Sequence, residues 1–289
     1  MTKSTENIKI IHNVKELRKQ VAEWRRKELK VSFVPTMGAL HAGHMSLVNN
    51  AQGFADRTIV SIFVNPLQFS DGEDLDSYPR TEDEDIIKLN EVGVQSVFIP
   101  SVDEMYKPGA LTRVFVDDLS EGLCGSSRPE LFVGVATVVT KLLLQCLPDF
   151  AMFGEKDYQQ LQIIKKLVID LDIPVKIIPV ETVRESDGLA MSSRNAYLNS
   201  QERALAPCLY KELQKVAIQC QQGNPIPDVI SNALNRLLDM GFSKVDYFTL
   251  CDSEILTPLY KLDRPSRLLV AACLGETRLI DNIEVSPKH

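Results

Sequence analysis

From residue 31 to residue 180, short apolar runs alternate with longer periodic ones, and this alternation narrows the possible folds more than any other feature of the chain. VSFVPT (31–36), TIVSIFV (58–64), SVFIP (96–100), FAMFG (150–154) and PVKIIPV (174–180) are short, apolar and rich in β-branched or aromatic residues. Runs of that length and composition predict strands. The stretches 44–55, 81–93, 132–147 and 157–171 predict helices between them. The 132–147 stretch is apolar nearly all round, which predicts a buried helix. In 81–93, Thr81 with Glu84 predicts a capping box and Gly93 a C-terminal cap. Strands alternating with helices predict an α/β fold, with a parallel sheet covered on both faces.

The pattern changes near Glu185 and Ser186. Two helical segments follow, at about 200–222 and 226–240, with Pro207 placed to kink or start the first. KVDYFTLCD (244–252), RLLVAACL (267–274) and TRLIDNIEV (277–285) come next, the last two joined as a hairpin at Gly275-Glu276. This predicts two domains: 1–184, carrying the parallel sheet, and a smaller α+β domain over 185–289. At 289 residues the chain is long enough for two cores.

Charge and cysteine usage exclude several classes. The net charge is -7, and no overall excess of Lys and Arg supplies a nucleic-acid footprint. None of the six cysteines forms a CxxC or zinc-finger spacing, so they read as reduced, mostly buried thiols of a cytoplasmic protein. The first residues lack a basic-then-apolar leader, and no apolar run approaches the ~18 residues of a membrane span.

The chemistry points to FVPTMGALHAGHMSLV (33–48), which holds two of the four histidines. A strand ending at Pro35-Thr36-Met37-Gly38 and a helix starting near His44 make an anion-binding geometry, because helix N-terminal N–H groups are unpaired. Gly38 and Gly43 let the backbone approach a ligand, and the imidazoles of His41 and His44 can donate to phosphate oxygens. A histidine at a helix start also serves as a cap. A zinc site lacks nearby Cys, Asp or further His residues to complete a tetrahedral set. Two further segments point the same way. FGEKDYQQL (153–161) places Lys156 at the carboxyl end of a strand, where open α/β sheets bind ligands. MSSRN (191–195) offers two hydroxyls and an arginine to phosphate oxygens.

HAGH (41–44) resembles the HIGH signature of nucleotidyltransferases and class I aminoacyl-tRNA synthetases, and MSSRN resembles their KMSKS loop. HxGH alone does not separate an adenylyl- from a cytidylyltransferase or a sulfurylase. SIFVNPLQF (61–69), DLDSYPRTEDED (74–85), GVATVVTKLL (134–143), FGEKDYQQL, DGLAMSSRN (187–195) and LIDNIEV (279–285) are similar to the pantoate–β-alanine ligase family in particular, along nearly the whole chain.

The resemblance implies a homodimer whose subunit pairs a Rossmann-like domain with a smaller lid domain. It implies ATP-dependent joining of pantoate to β-alanine through pantoyl adenylate, with Mg2+ accompanying ATP. Carried over by motif, Met37, Gly38, Ala39, Leu40, His41, Ala42, Gly43 and His44 line the ATP site, with His44 the principal catalytic histidine. Gln68 holds pantoate and Gln160 its hydroxyls. Gly154, Glu155, Lys156 and Asp157 contact ATP, with Lys156 on the phosphates. Val183 touches the adenosine, and Met191, Ser192, Ser193 and Arg194 close on the nucleotide. Asp85 is the candidate on the protein side for the metal, although its acidic run also reads as the first turn of a helix. One departure stands out. The family commonly carries RP-x-HF, and this chain reads Arg128-Pro129-Glu130-Leu131-Phe132. Leucine can neither donate a hydrogen bond nor carry a proton, so that histidine's role is absent here or has moved.

Overall fold

The structure is a computed structural model that describes residues 7–70 and 72–288. Six strands form one parallel sheet: β1 (Lys9–Ile11), β2 (Val31–Thr36), β3 (Arg57–Ile62), β4 (Ser96–Phe98), β5 (Phe150–Gly154) and β6 (Lys176–Val180). Their order is β1-β4-β3-β2-β5-β6. Seven helices connect and cover them: α1 (Val14–Arg25), α2 (Ala42–Phe54), α3 (Glu82–Glu91), α4 (Val102–Met105), α5 (Cys124–Ser127), α6 (Leu131–Cys146) and α7 (Tyr158–Asp170). The α/β fold that the alternation predicts is therefore present.

Strand period decides the packing. Phe33, Ile59 and Phe153 point to one face and join a core with residues of α1, α6 and α7. Their neighbours Val34, Val60 and Met152 point to the other and pack with Val48 and Ala51 of α2 and Leu89 of α3. The chain runs outward from β2 in both directions, to β3 and β4 on one side and β5 and β6 on the other. Its switch point lies at the carboxyl ends of β2 and β5, where open α/β sheets bind ligands.

The remaining chain forms α8 (Ser200–Leu205), α9 (Cys208–Gln221), α10 (Ile226–Asp239) and an antiparallel sheet of β7 (Lys244–Asp252), β8 (Ser266–Leu274) and β9 (Thr277–Val285). Leu268, Val270 and Ala272 face α9 and α10 in a core of their own. On the opposite face, Leu269, Cys251 and Tyr247 join the core of the first sheet. Helix α9 begins after Pro207, so the 200–222 stretch is two helices rather than one.

Three local expectations change. Helix α2 begins at Ala42, two residues before His44, because His41 caps it. Thr81 stands at the N-cap of α3 but makes no cap; its hydroxyl donates to Asp85 Oδ2 at 3.2 Å instead. Strand β1 and helix α1 add to the expected elements: β1 is three residues at the sheet edge, paired with β4, and α1 carries a signal the sequence reading missed, the Asn13 cap and the buried stripe Leu17, Val21 and Trp24.

Candidate active site

The turn after β2 is tightly specified. Gly38 and Ala39 both adopt positive φ, at 85° and 50°. A Cβ on Gly38 would sit 3.1 Å from Ile62 Cγ2 in a conformation that L side chains rarely take. Thr36 Oγ1 donates to the Ser61 carbonyl at 2.7 Å and accepts the Gly38 N–H at 3.2 Å. Helix α3 then grips the Leu40 peptide from both ends. Asp85 Oδ1 accepts the Leu40 N–H at 2.8 Å, and Lys88 Nζ donates to the Leu40 carbonyl at 3.0 Å. Asp85, the metal-side candidate of the sequence reading, thus also holds the turn. Its carboxylate is fully buried, occupied by Leu40 and Thr81, and faces the back of the turn. Among the described residues no group of three His, Cys, Asp or Glu side chains converges to hold a metal ion.

The two histidines form a reciprocal cap. His41 Nδ1 accepts the Gly43 N–H at 3.1 Å, and His44 Nδ1 accepts the His41 N–H at 3.3 Å. Their ring centroids are 4.1 Å apart. Each Nδ1 is an acceptor, so in the neutral ring the proton sits on Nε2. Burial pushes His44 down from its ordinary 6.5 to about 3, helped by the nearby His41, Lys156 and Lys88. Burial and then Lys156 lower His41 as well. Both rings are therefore neutral Nε2–H donors at physiological pH. A Cβ on Gly43 would lie 2.8 Å from His41 Cε1, so glycine is what admits the His41 ring over the first turn.

A cavity of about 910 Å3 opens at the switch point. Met37, His41, Gly43 and His44 line it from the turn after β2, and Gly154, Lys156, Asp157 and Gln160 from the turn after β5. Val183, Met191, Ser192, Ser193 and Arg194 line it from the segment that follows β6. Gln68 completes the wall: its Nε2 donates to Met37 Sδ at 2.8 Å, and its Oε1 accepts from Asn65 at 3.1 Å. Three separated sequence segments thus meet in one place.

Five residues read from the sequence as nucleotide contacts stand outside this cavity. Leu40 and Ala42 line a shallower hollow of about 580 Å3 that shares His41 and Val183 with it. Gly38 and Ala39 shape the turn without reaching either. The Glu155 carboxylate turns away and pairs with Arg267 at 2.9 Å.

Several wall residues escaped the sequence reading. Asn65, almost wholly buried, donates to the Gly134 carbonyl at 3.1 Å and accepts from Tyr106 at 2.8 Å. It fixes the Pro66–Gln68 turn against α6, where a Cβ on Gly134 would collide with the Leu67 carbonyl oxygen at 2.1 Å. Arg194 pairs with Asp74 through two bonds of 3.0 and 3.2 Å, and Tyr78 O–H lies 3.4 Å from Ser193 Oγ. Arg128 clamps Glu73 at 2.5 Å. The 73–78 loop thereby bridges the Ser192–Arg194 segment and the foot of α6. The asparagine before Pro66 and the DLDSYPR run were the available signals.

A parallel sheet whose switch point carries a histidine-capped HxGH turn, faced by a lysine turn and a Ser-Ser-Arg segment, defines an α/β enzyme of the HIGH-motif nucleotidyltransferase kind. Comparison with known proteins narrows the class. Residues 9–284 match the family described as Pantoate-beta-alanine ligase, and the chain belongs to that family. A protein named Pantothenate synthetase from Paramagnetospirillum magneticum is 53% identical over 280 residues, covering 97% of this chain and 99% of that one. Its namesake from Chelativorans is 52% identical at the same coverage. The crystal structure of Pantothenate Synthetase from Thermus thermophilus superposes with a TM-score of 0.89 at 42% identity, over 97% of this chain and all of that one. A Pantoate-beta-alanine Ligase from Francisella tularensis, solved with Beta-gamma ATP and Beta-alanine, gives 0.82 at 37%, over 96% and 97%.

Proposed function

We propose that the cavity condenses pantoate with β-alanine at the expense of ATP, forming pantothenate, AMP and pyrophosphate through pantoyl adenylate. The observation that carries this reading is the convergence on one cavity of two neutral histidines, Lys156 and the Ser192–Arg194 segment, with Gln68 and Gln160 beside them. Family membership and the ATP- and β-alanine-bound relative support the choice of substrates.

A carboxylate is a poor acyl donor. A pantoate carboxylate oxygen attacks the α-phosphorus, the bond to the bridging oxygen breaks, and pyrophosphate leaves. The β-alanine nitrogen then attacks the acyl carbon, the carbon–oxygen bond breaks, AMP leaves and the ammonium's protons pass to solvent. Neither step needs a protein nucleophile, so positioning and charge stabilisation supply the rate. In this reading His44 and His41 donate Nε2–H to phosphate oxygens, with no change in their own protonation. Lys156 supplies the full positive charge. Met37, Gly43, Gly154, Asp157, Val183 and Met191 shape the nucleotide cleft, while Ser192, Ser193 and Arg194 close over it. Gln68 and Gln160 present both donor and acceptor to a dihydroxy acid. Mg2+ enters as part of the MgATP substrate, held mainly by phosphate oxygens.

Residues 1–184 and 185–289 act as two domains, the second serving as a lid that keeps water from the adenylate. The chain works in the cytoplasm, consistent with its lack of a helix long and apolar enough to cross a membrane among the described residues. It acts as a homodimer; exposed Leu111 and Phe115 in the irregular 110–116 segment offer apolar surface for a second copy. Incubation with MgATP, pantoate and β-alanine is expected to yield pantothenate, AMP and pyrophosphate in equal amounts. Formation of ADP and phosphate instead would overturn the adenylate route.

A further inference from the structure

We infer that Asn282 is a positioning residue for Lys156, holding the lysine's turn from the second sheet. The inference rests on the reading of Lys156 as the phosphate-facing cation.

Lys156 sits in a single 3-10 turn, Glu155–Asp157, between β5 and α7. Such a turn has no ladder of its own to fix it. One amide ties its backbone to the second sheet. Asn282 Nδ2 donates to the Glu155 carbonyl at 2.9 Å and to the Lys156 carbonyl at 2.9 Å. The amide's orientation is forced, because two carbonyls can only accept and the Arg267 guanidinium on the far side can only donate. Arg267 Nε donates to Asn282 Oδ1 at 2.6 Å, and its Nη2 returns to the Glu155 carboxylate at 2.9 Å. The guanidinium also stacks on the Tyr158 ring, 4.2 Å from its centroid, at the first residue of α7. Asn282 and Arg267 are 3% and 7% exposed, so water does not substitute for these bonds.

The same network reaches the segment opposite. The Asn282 N–H donates to Asp281 Oδ1 at 2.7 Å. Asp281 accepts both arms of Arg184 at 2.6 and 2.9 Å, and Arg184 lies over the Tyr210 ring and donates to the Gly188 carbonyl at 3.1 Å. Arg184 stands at the root of the loop that ends in Met191–Arg194. Adjacent residues of β9 therefore fix the lysine turn and the root of the Ser-Ser-Arg segment together. In a positioned reaction, a displacement of about 1 Å costs on the order of 10²-fold.

Asn282→Asp tests this. It keeps the size of the side chain and an acceptor for Arg267, but it removes both donors and sets a carboxylate against two carbonyls. The measurement is single-turnover, pantoate-dependent pyrophosphate release from MgATP, made in the unmodified chain and in Lys156→Ala. In the unmodified background the rate is expected to fall about 10²-fold. In the Lys156→Ala background the same change is expected to cost less than about threefold, because the group being positioned is gone. An equal loss in both backgrounds would show a general structural role and overturn the inference, as would no loss in either. Asn282→Ala, which brings no charge into the site, gives the same comparison should the aspartate variant fail to fold. Absence of pantoate-dependent release from the unmodified chain overturns the functional reading itself, a result distinct from additivity between the two substitutions.

Discussion

His44 Nδ1 accepts the backbone N–H of His41, while His41 Nδ1 closes back on the first turn of the same helix at Gly43. The two histidines of HAGH therefore cap the helix with one ring edge and face the cavity with the other. The cap is compatible with the proposed donor role, since each uses a different nitrogen. His44→Ala removes one neutral donor and one cap partner. Pantoate-dependent pyrophosphate release is expected to fall by about 10²-fold or more, with the protein still folded by circular dichroism. Near-normal release would contradict the role.

The same burial makes the site sensitive to acid. His44 titrates near 3 in the folded chain against 6.5 ordinarily, and His41 is displaced in the same direction. Between those values the unfolded state binds more protons than the folded one. This contribution to stability is thus intact above pH 6.5 and is lost progressively as pH falls toward 3. Urea unfolding at pH 7, 6 and 5 is expected to show a shallower decline in His44→Asn, which keeps an acceptor for the His41 N–H. The difference in slope approaches at most ~1.4 kcal/mol per pH unit. Equal slopes would mean that His44 is not held neutral.

Gly134 fixes the Pro66–Gln68 turn, the proposed pantoate wall. A methyl group there meets the Leu67 backbone, which cannot move without carrying Gln68 with it. Gly134→Ala is expected to raise the KM for pantoate at least ~10-fold while the affinity for ATP changes little, because a displaced side chain loses its hydrogen bonds to the substrate. Isothermal titration of each substrate separates the two. Equal weakening of both would point to global loosening instead.

Leu131 begins α6, packs on the core of the first sheet and lines the cavity. His41, His44, Lys156 and Arg194 line the cavity without a histidine there. Leu131→His is accordingly expected to change kcat by less than ~10-fold, since general acid–base help of the usual ~10²–10⁴-fold is not missing from this site. A rise of several hundredfold in steady-state turnover would contradict this.

Much of the fold was legible in the sequence because strand period and helix period are local properties. The buried strands, the apolar α6 and the Gly275-Glu276 hairpin all follow from them. HAGH and GEKDYQQ were legible as candidate site segments because they follow strand ends, and MSSRN because its hydroxyls and arginine suit phosphate oxygens. What sequence could not show is pairing across distance. Arg194 meets Asp74 from 120 positions away, and Asn282 meets Lys156 from 126. The burial of Asp85 was hard to read for a similar reason. Its acidic run suggests a solvated turn, yet Asp85 shares the inward face of α3 with Leu89, four residues on, and that spacing was the available clue. Thr81 shows how a cap signal fails when a buried carboxylate competes for the hydroxyl.

The central claim is that adenylation precedes amide formation in this cavity. Rapid-quench measurement of pyrophosphate from MgATP with pantoate alone tests it most directly. The account predicts a burst of about one pyrophosphate per site, without AMP release, that β-alanine converts into steady turnover with AMP and pantothenate. Pyrophosphate release that requires β-alanine from the first turnover, or that ignores pantoate, would contradict it.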